Sequence, residues 1–180
     1  MNNIGSIEII CGPMFAGKTE ELIRLATRLD YAKKNYFVFK PSLDDRYSDS
    51  EIVSHSNYKK NSINITKSTE IYNHVNENTN VIIADEVQFF DKDIINVCET
   101  LADKGIRVIV GGLDCDFLGN PFEITAQLLA RAEKVTKLTS ICSICGESAT
   151  KSKRLSSDDE LIVLGASSLY EPRCRKCHSL

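Results

Sequence analysis

Apolar residues along this chain fall into two alternating rhythms. Short runs rich in Val, Ile and Phe occur at Ser6 to Cys11, Tyr36 to Phe39, Val81 to Ala84 and Ile106 to Gly111. Runs of that length and composition read as strands buried on both faces. Between them lie segments whose apolar residues recur at helical spacing: Lys18 to Ala32, Glu70 to Asn76, Asp91 to Lys104 and Thr125 to Ala132. This alternation, sustained over the first two-thirds of the chain, predicts an α/β domain, a parallel sheet with helices on its faces. Ligands of such a sheet gather at the carboxyl ends of its strands. Pro41 to Asn61 is polar and irregular and is expected to be a mobile loop rather than a core element. From about Lys137 the alternation stops. The tail holds two cysteine pairs, a basic patch (Lys151, Lys153, Arg154), an acidic patch (Asp158, Asp159, Glu160) and the apolar run Leu161 to Leu164. It reads as a second, small unit with too little core to fold without a metal or support from its neighbour. The expected division is 1–137 for the α/β domain and 138–180 for the small one.

The first strand-to-helix junction carries the sharpest chemistry. Gly12-Pro13-Met14-Phe15-Ala16-Gly17-Lys18-Thr19 reads G-x-x-x-x-G-K-T, directly after one predicted strand and directly before a predicted helix. In that context the loop's backbone N–H groups and the helix N-terminus surround a polyphosphate. Lys18 places a charge on the terminal phosphates, and Thr19 offers a hydroxyl to Mg²⁺. A plain glycine turn would leave both flanks unexplained. The chain is therefore expected to bind a nucleoside triphosphate. The strand Val81 to Ala84 ends in Asp85 and Glu86. Asp85 is the expected Mg²⁺ partner. Neighbours on a regular strand point to opposite faces. Glu86 therefore reaches the same site only if it lies beyond the last paired residue, where it can accept a proton from an attacking hydroxyl or water.

Composition narrows the class. The formal net charge is −3 with no basic stripe, which disfavours a nucleic-acid polymer as partner. No apolar run is long enough to span a bilayer, and the N-terminus lacks the layout of a secretion signal, so a cytoplasmic protein with no membrane partner is expected. Seven cysteines are an odd count, which speaks against a disulfide framework. Cys11, Cys98 and Cys115 read as small buried hydrophobes. Cys142-x-x-Cys145 and Cys174-x-x-Cys177 have the spacing of a closed, structural Zn²⁺ site. A redox dithiol pair is the alternative, and His178 competes with Cys177 as fourth ligand. Phe89 and Phe90 beside the acids, and Phe117 after Leu113-Asp114, are candidates to line a pocket for a flat ring, or else core. Asp116 to Gly119 reads D-x-x-G, but no N-K-x-D guanine-reading motif accompanies it.

Taken together these stretches resemble the thymidine kinases of the P-loop-plus-zinc class, found in many bacteria and in animal cytosol. The matching residues are the loop Gly12 to Thr19, Asp44-Asp45-Arg46-Tyr47-Ser48, Asp85-Glu86-Val87-Gln88-Phe89-Phe90, Leu113-Asp114 with Phe117, Lys153-Arg154-Leu155, and the four cysteines with Tyr170. The resemblance implies a RecA-like core with a zinc-anchored lasso over the nucleoside. It implies transfer of the ATP γ-phosphate to the 5′-hydroxyl of thymidine, giving dTMP, with Glu86 as general base. The nucleotide is expected at Gly12, Pro13, Met14, Phe15, Ala16, Gly17, Lys18 and Thr19, with Arg46, Asp85 and Gln88, and Mg²⁺ at Thr19 and Asp85. Thymidine is expected among Met14, Phe89, Leu113, Phe117, Leu161, Ile162, Val163, Leu164, Gly165 and Tyr170. The family further implies a homotetramer and feedback inhibition by dTTP. The competing readings are a zinc-containing P-loop ATPase that grips nucleic acid, a GTP-binding switch, and a kinase for another small nucleoside or nucleotide.

Overall fold

Each apolar run becomes a strand whose successive side chains feed opposite layers. The computed structural model describes residues 4–42, 51–53, 59–155 and 169–179. In chain order the main elements are β1 (Ser6–Gly12), α1 (Lys18–Tyr31), β2 (Tyr36–Pro41), β3 (Glu51–Val53), β4 (Lys59–Asn61), β5 (Ile63–Ile65), β6 (Val81–Ala84), α2 (Asp93–Asp103), β7 (Arg107–Leu113), α3 (Glu123–Arg131) and β8 (Lys134–Lys137). Six strands form one sheet in the order β5-β2-β6-β7-β1-β8, every pair parallel. Ile9, Ile82, Val108 and Val110 join Ile94, Leu101 and Leu128 in one core layer. Their strand neighbours Ile10, Ile83 and Ile109 join Leu22, Ala26 and Leu29 of α1 in the other. Each fully buried aliphatic side chain stabilises by about 1.5–3 kcal/mol, which is why these strands are mostly apolar, with Glu8 an internal exception in β1. The ends of β6, β7 and β1 are adjacent, so the residues that follow them share one crevice.

Three expectations change. Glu70 to Asn76 is not an α-helix. Ser68–Asn73 forms a 3₁₀ turn in which Ile71 is the buried apolar side chain, too little for a helical stripe. The two sheet edges, β5 and β8, are strands that the apolar pattern does not announce. Edge strands carry polar and charged residues because one side lacks a partner, and Ile63-Asn64-Ile65 and Lys134-Val135-Thr136-Lys137 fit that description. Within Pro41 to Asn61, β3 and β4 pair antiparallel rather than forming an unstructured loop. The remainder of that segment lies outside the described residues.

Glu8 ties three strands together on the surface. Its carboxylate accepts from Arg107 at the start of β7 and from Lys134 on β8. Burial opposes its ionisation, but those hydrogen bonds outweigh burial and hold the carboxyl below its usual value. Only 12 % of the Glu8 side chain is exposed, so solvent screens it incompletely. A depressed folded value means the stabilisation is complete above the unfolded pKa of about 4.3 and fades as pH falls through the folded one. Urea unfolding should therefore find Glu8→Gln less stable by about 1 kcal/mol at pH 7, the scale of charge-assisted hydrogen bonds, with the gap closing near pH 3. An equal gap at both values contradicts this account.

The C-terminal unit is built from two short ladders. β9 (Ser140–Ile141) pairs with β10 (Ser148–Ala149), and β11 (Lys151–Arg154) pairs with β12 (Tyr170–Arg173), which leads into α4 (Arg175–His178). A backbone hydrogen bond from Leu155 to Leu169 closes the base of the segment between β11 and β12. Among the described residues no helix is long and apolar enough to cross a membrane.

Candidate functional site

The glycine loop is shaped by close approach. Gly12 has φ +148°, and a Cβ there would lie 2.4 Å from the carbonyl oxygen of Leu138, so only glycine fits. Gly17, at φ +81°, is the N-cap of α1, and no side chain caps that helix. Its first-turn N–H groups therefore face the crevice with the positive end of the helix dipole. Lys18 is buried and donates to the Pro13 carbonyl at 2.8 Å. Burial holds its ammonium below the ordinary value, while Glu86 most strongly, then Asp85 and Asp114, oppose that shift. The three acids thus converge on the loop lysine.

β6 ends at Ala84, and Asp85 keeps the direction of the layer that faces α1. Its Oδ2 accepts from the Thr19 hydroxyl at 3.2 Å, and its Oδ1 accepts from the Glu86 N–H at 2.9 Å. Burial, reinforced by the charge of Glu86, pushes its carboxyl up to about 7 against those hydrogen bonds. Two neighbouring oxygens around an octahedral Mg²⁺ with ~2.1 Å bonds stand ~3.0 Å apart, close to the Thr19–Asp85 spacing, so this pair fits the cation. Glu86 has φ 55° and ψ 43°, the left-handed region, which costs a residue with a Cβ roughly 1–2 kcal/mol. That turn, not strand alternation, brings both carboxylates to one crevice. A 3₁₀ turn, Val87–Phe89, follows. Its buried Gln88 donates through Nε2 to Glu86 Oε2 at 2.6 Å and accepts through Oε1 from the Leu113 N–H at 3.0 Å. At the end of β7, Asp114 is buried, pairs with Lys137 at 2.9 Å and, among the described residues, leaves its Oδ1 without a partner.

The C-terminal unit closes one side of this crevice. Ser152 on β11 accepts from the Met14 N–H at 3.0 Å, so the phosphate loop rests on that strand. Arg154 is buried, with its guanidinium 3.9 Å over the Phe117 ring and donating to the Tyr170 hydroxyl at 2.9 and 3.2 Å. Phe89 and Phe122 meet edge to face, while Phe90 belongs to the core.

The sulfurs of Cys142, Cys145, Cys174 and Cys177 lie within 4.8 Å of one another. Cys145 and Cys174 are 3.7 Å apart, against ~3.8 Å for two thiolates on a tetrahedral Zn²⁺ with 2.3 Å bonds. The donor set fits that ion. Burial raises the Cys142 thiol, but N–H groups from Cys174, Cys145 and Ile144 outweigh it and bring the thiol down to about 6. Cys177 is pushed up to about 12, first by burial. Zinc binding at neutral pH must therefore displace protons from part of the set. His178 is not the fourth member of the cluster: its Nε2 donates to the Phe117 carbonyl at 2.9 Å.

Of the residues expected from sequence, Gly12 to Thr19, Asp85, Glu86, Gln88, Leu113, Phe117 and Tyr170 surround this crevice or border it. Arg46 and Leu161 to Gly165 lie outside the described residues. Ser152 is a contributor that the sequence does not single out, while Asp114 and Arg154 stand in the matching stretches but receive no role there. The alternating burial of Lys151-Ser152-Lys153-Arg154 is a strand signal that the charges obscure.

A family model described as thymidine kinase matches residues 5–178. Among solved structures, the Pif1 helicase from Candida albicans is similar at 14% identity and a TM-score of 0.45, over 74% of this chain and 36% of that one. Domain III of the Thermotoga maritima replication initiation protein DnaA is similar at 13% identity and a TM-score of 0.42, over 73% of this chain and 54% of that one. The matches thus span well under two thirds of either solved chain, and likenesses this distant bear on nothing beyond themselves.

Proposed function

Since this chain belongs to the thymidine kinase family, we propose that it transfers the γ-phosphate of ATP to the 5′-hydroxyl of thymidine. The observation that carries the proposal is Glu86, held in a left-handed turn directly after Asp85 at the end of β6. Phosphoryl transfer needs positioning and charge stabilisation more than covalent chemistry. The loop amides and Lys18 hold the migrating group, and Thr19 with Asp85 would hold Mg²⁺. When bound, that ion would supply charge stabilisation to the phosphoryl group in transfer. Glu86 orients the sugar hydroxyl and takes its proton as the new O–P bond forms and the bond from the γ-phosphorus to the β–γ bridging oxygen breaks, releasing ADP. The nucleoside is assigned to the side bounded by Met14, Phe117 and Tyr170. The four cysteines would hold Zn²⁺ as a structural clamp rather than a catalyst. The same reading extends to a cytoplasmic homotetramer inhibited by dTTP.

Purified protein incubated with γ-labelled ATP, Mg²⁺ and a panel of nucleosides and nucleoside monophosphates tests this directly. Labelled dTMP should form from thymidine, far faster than label appears in free phosphate. Hydrolysis without transfer, or transfer only to a monophosphate, rejects the assignment.

A further inference from the structure

Gln88 stands between the proposed base and the neighbouring strand, and both ends of its amide are fixed. Its Nε2 donates to Glu86 Oε2 at 2.6 Å, and its Oε1 accepts from the Leu113 N–H at 3.0 Å. A reversed amide would set its oxygen against a carboxylate and its NH₂ against an N–H, so the network leaves one orientation. The space for this arrangement is created in β7. A Cβ on Gly112 would lie 2.5 Å from Gln88 Oε1 and 2.8 Å from Val87 Cγ1, distances no side chain tolerates. Gln88 itself is 8 % exposed. Its carbonyl and one N–H are already committed inside the protein, which leaves it poorly placed for the nucleotide contact that the sequence reading gives it. Among the described residues Glu86 Oε1 receives no hydrogen bond. One oxygen of the carboxylate is therefore tethered and the other is left available.

We propose that Gln88 is a positioning residue: it fixes the Glu86 carboxylate by tying it to the end of β7 through the space left by Gly112. The inference rests on reading Glu86 as the base. A left-handed residue on a short turn has no regular ladder to aim its side chain, so the aim must come from a partner. Gln88 supplies it from a rigid strand rather than from a loop, and does so with a neutral donor that adds no second cation beside Lys18. Its length matters, because the amide must span from the Leu113 main chain to Glu86. Asn is one methylene too short to do both.

The test is a double-mutant cycle on thymidine phosphorylation with wild type, Gln88→Met, Glu86→Gln and the double variant, alongside Mg·ATP affinity by calorimetry. Gln88→Met fills the same volume without either hydrogen bond. It should lower kcat by about 10–100-fold, the scale of misplacing a reacting group by an ångström or less, with Mg·ATP affinity within about twofold. The double variant should be no slower than Glu86→Gln by more than about twofold, since Gln88 acts only through Glu86. Gln88→Asn is held to the same criteria, so a poorly folding Met variant does not leave the question open. Multiplying losses in the double variant, a tenfold loss of Mg·ATP affinity, or full turnover in both Gln88 variants overturns the inference while leaving Glu86 as base. Full turnover in Glu86→Gln instead removes the base itself, a separate and recognisable failure.

Discussion

Glu86→Gln should turn over roughly 10²–10⁴-fold more slowly than the wild type, the usual scale of losing a general base. The substitution keeps the side chain's length and its hydrogen bond from Gln88, because an amide oxygen can replace the carboxylate Oε2. It keeps the left-handed backbone as well, since Gln and Glu bear the same cost at φ 55°. What disappears is the proton acceptor and a negative charge facing Lys18. Nucleotide affinity should stay within a few-fold, because the proposed phosphate contacts come from the loop and the α1 N-terminus and not from Glu86. Single-turnover kinetics with thymidine, paired with calorimetric titration of Mg·ATP, separates the two effects. A variant with wild-type turnover, or one whose loss lies wholly in ATP affinity, means that Glu86 does not act on the acceptor hydroxyl.

The sheet was legible in the sequence wherever burial on both faces imposed a largely apolar run. Ser6 to Cys11 and Val81 to Ala84 appear almost to the residue as β1 and β6. Burial of one face, or of none, leaves a weaker trace. β8 is charged at both ends and gains its place by backbone pairing to Glu8 through Cys11 rather than by its side chains. β5 alternates with a period of two over only three residues, too few to separate from a loop. The 3₁₀ turn at Ser68–Asn73 shows the converse error, since helix-compatible residues without a buried stripe do not sustain an α-helix.

At the crevice, spacing found the residues but not their relations. The glycine loop and the two acids lie at adjacent strand ends because motif position fixes them there. The left-handed turn at Glu86 has no sequence signature, since positive φ is normally announced by Gly or Asn. Gln88 looked like a nucleotide ligand from its place in Asp85-Glu86-Val87-Gln88, and only the crowding at Gly112 shows which way it faces. From sequence Arg154 reads as part of a basic patch and of the matching stretch Lys153-Arg154-Leu155, with no sign that it is buried. Pairing of β11 with β12 sends every second side chain inward, and its guanidinium is accommodated because one aromatic face and one hydroxyl receive it.

Cys145→Ala should reduce zinc content and raise the KM for thymidine while leaving ATP binding comparatively intact. Cys145 is exposed, so truncating it removes little packing and any large effect must pass through the metal. Structural zinc sites are worth about 10–16 kcal/mol in small folding units. One lost ligand of four therefore corresponds to on the order of 3 kcal/mol, or about a hundredfold in zinc affinity. The C-terminal unit has little else to hold it: its buried cluster consists of Cys142, Ala149 and Cys177 with Cys174 packed against them. Three contacts carry its order to the crevice, namely Ser152 to the Met14 N–H, Arg154 between Phe117 and Tyr170, and His178 to the Phe117 carbonyl. All three end on residues assigned to the nucleoside side. The two large core layers of the α/β domain include no residue of this unit beyond Leu138 at its border, so the phosphate loop should keep its shape. The expected pattern is zinc well below one ion per chain, a thymidine KM raised roughly tenfold or more, and Mg·ATP affinity within a few-fold. A new low-temperature step in thermal unfolding should accompany it and be reproduced in wild type by withdrawing zinc with a chelator. Full zinc occupancy with an unchanged thymidine KM would separate the cysteine cluster from the nucleoside site altogether.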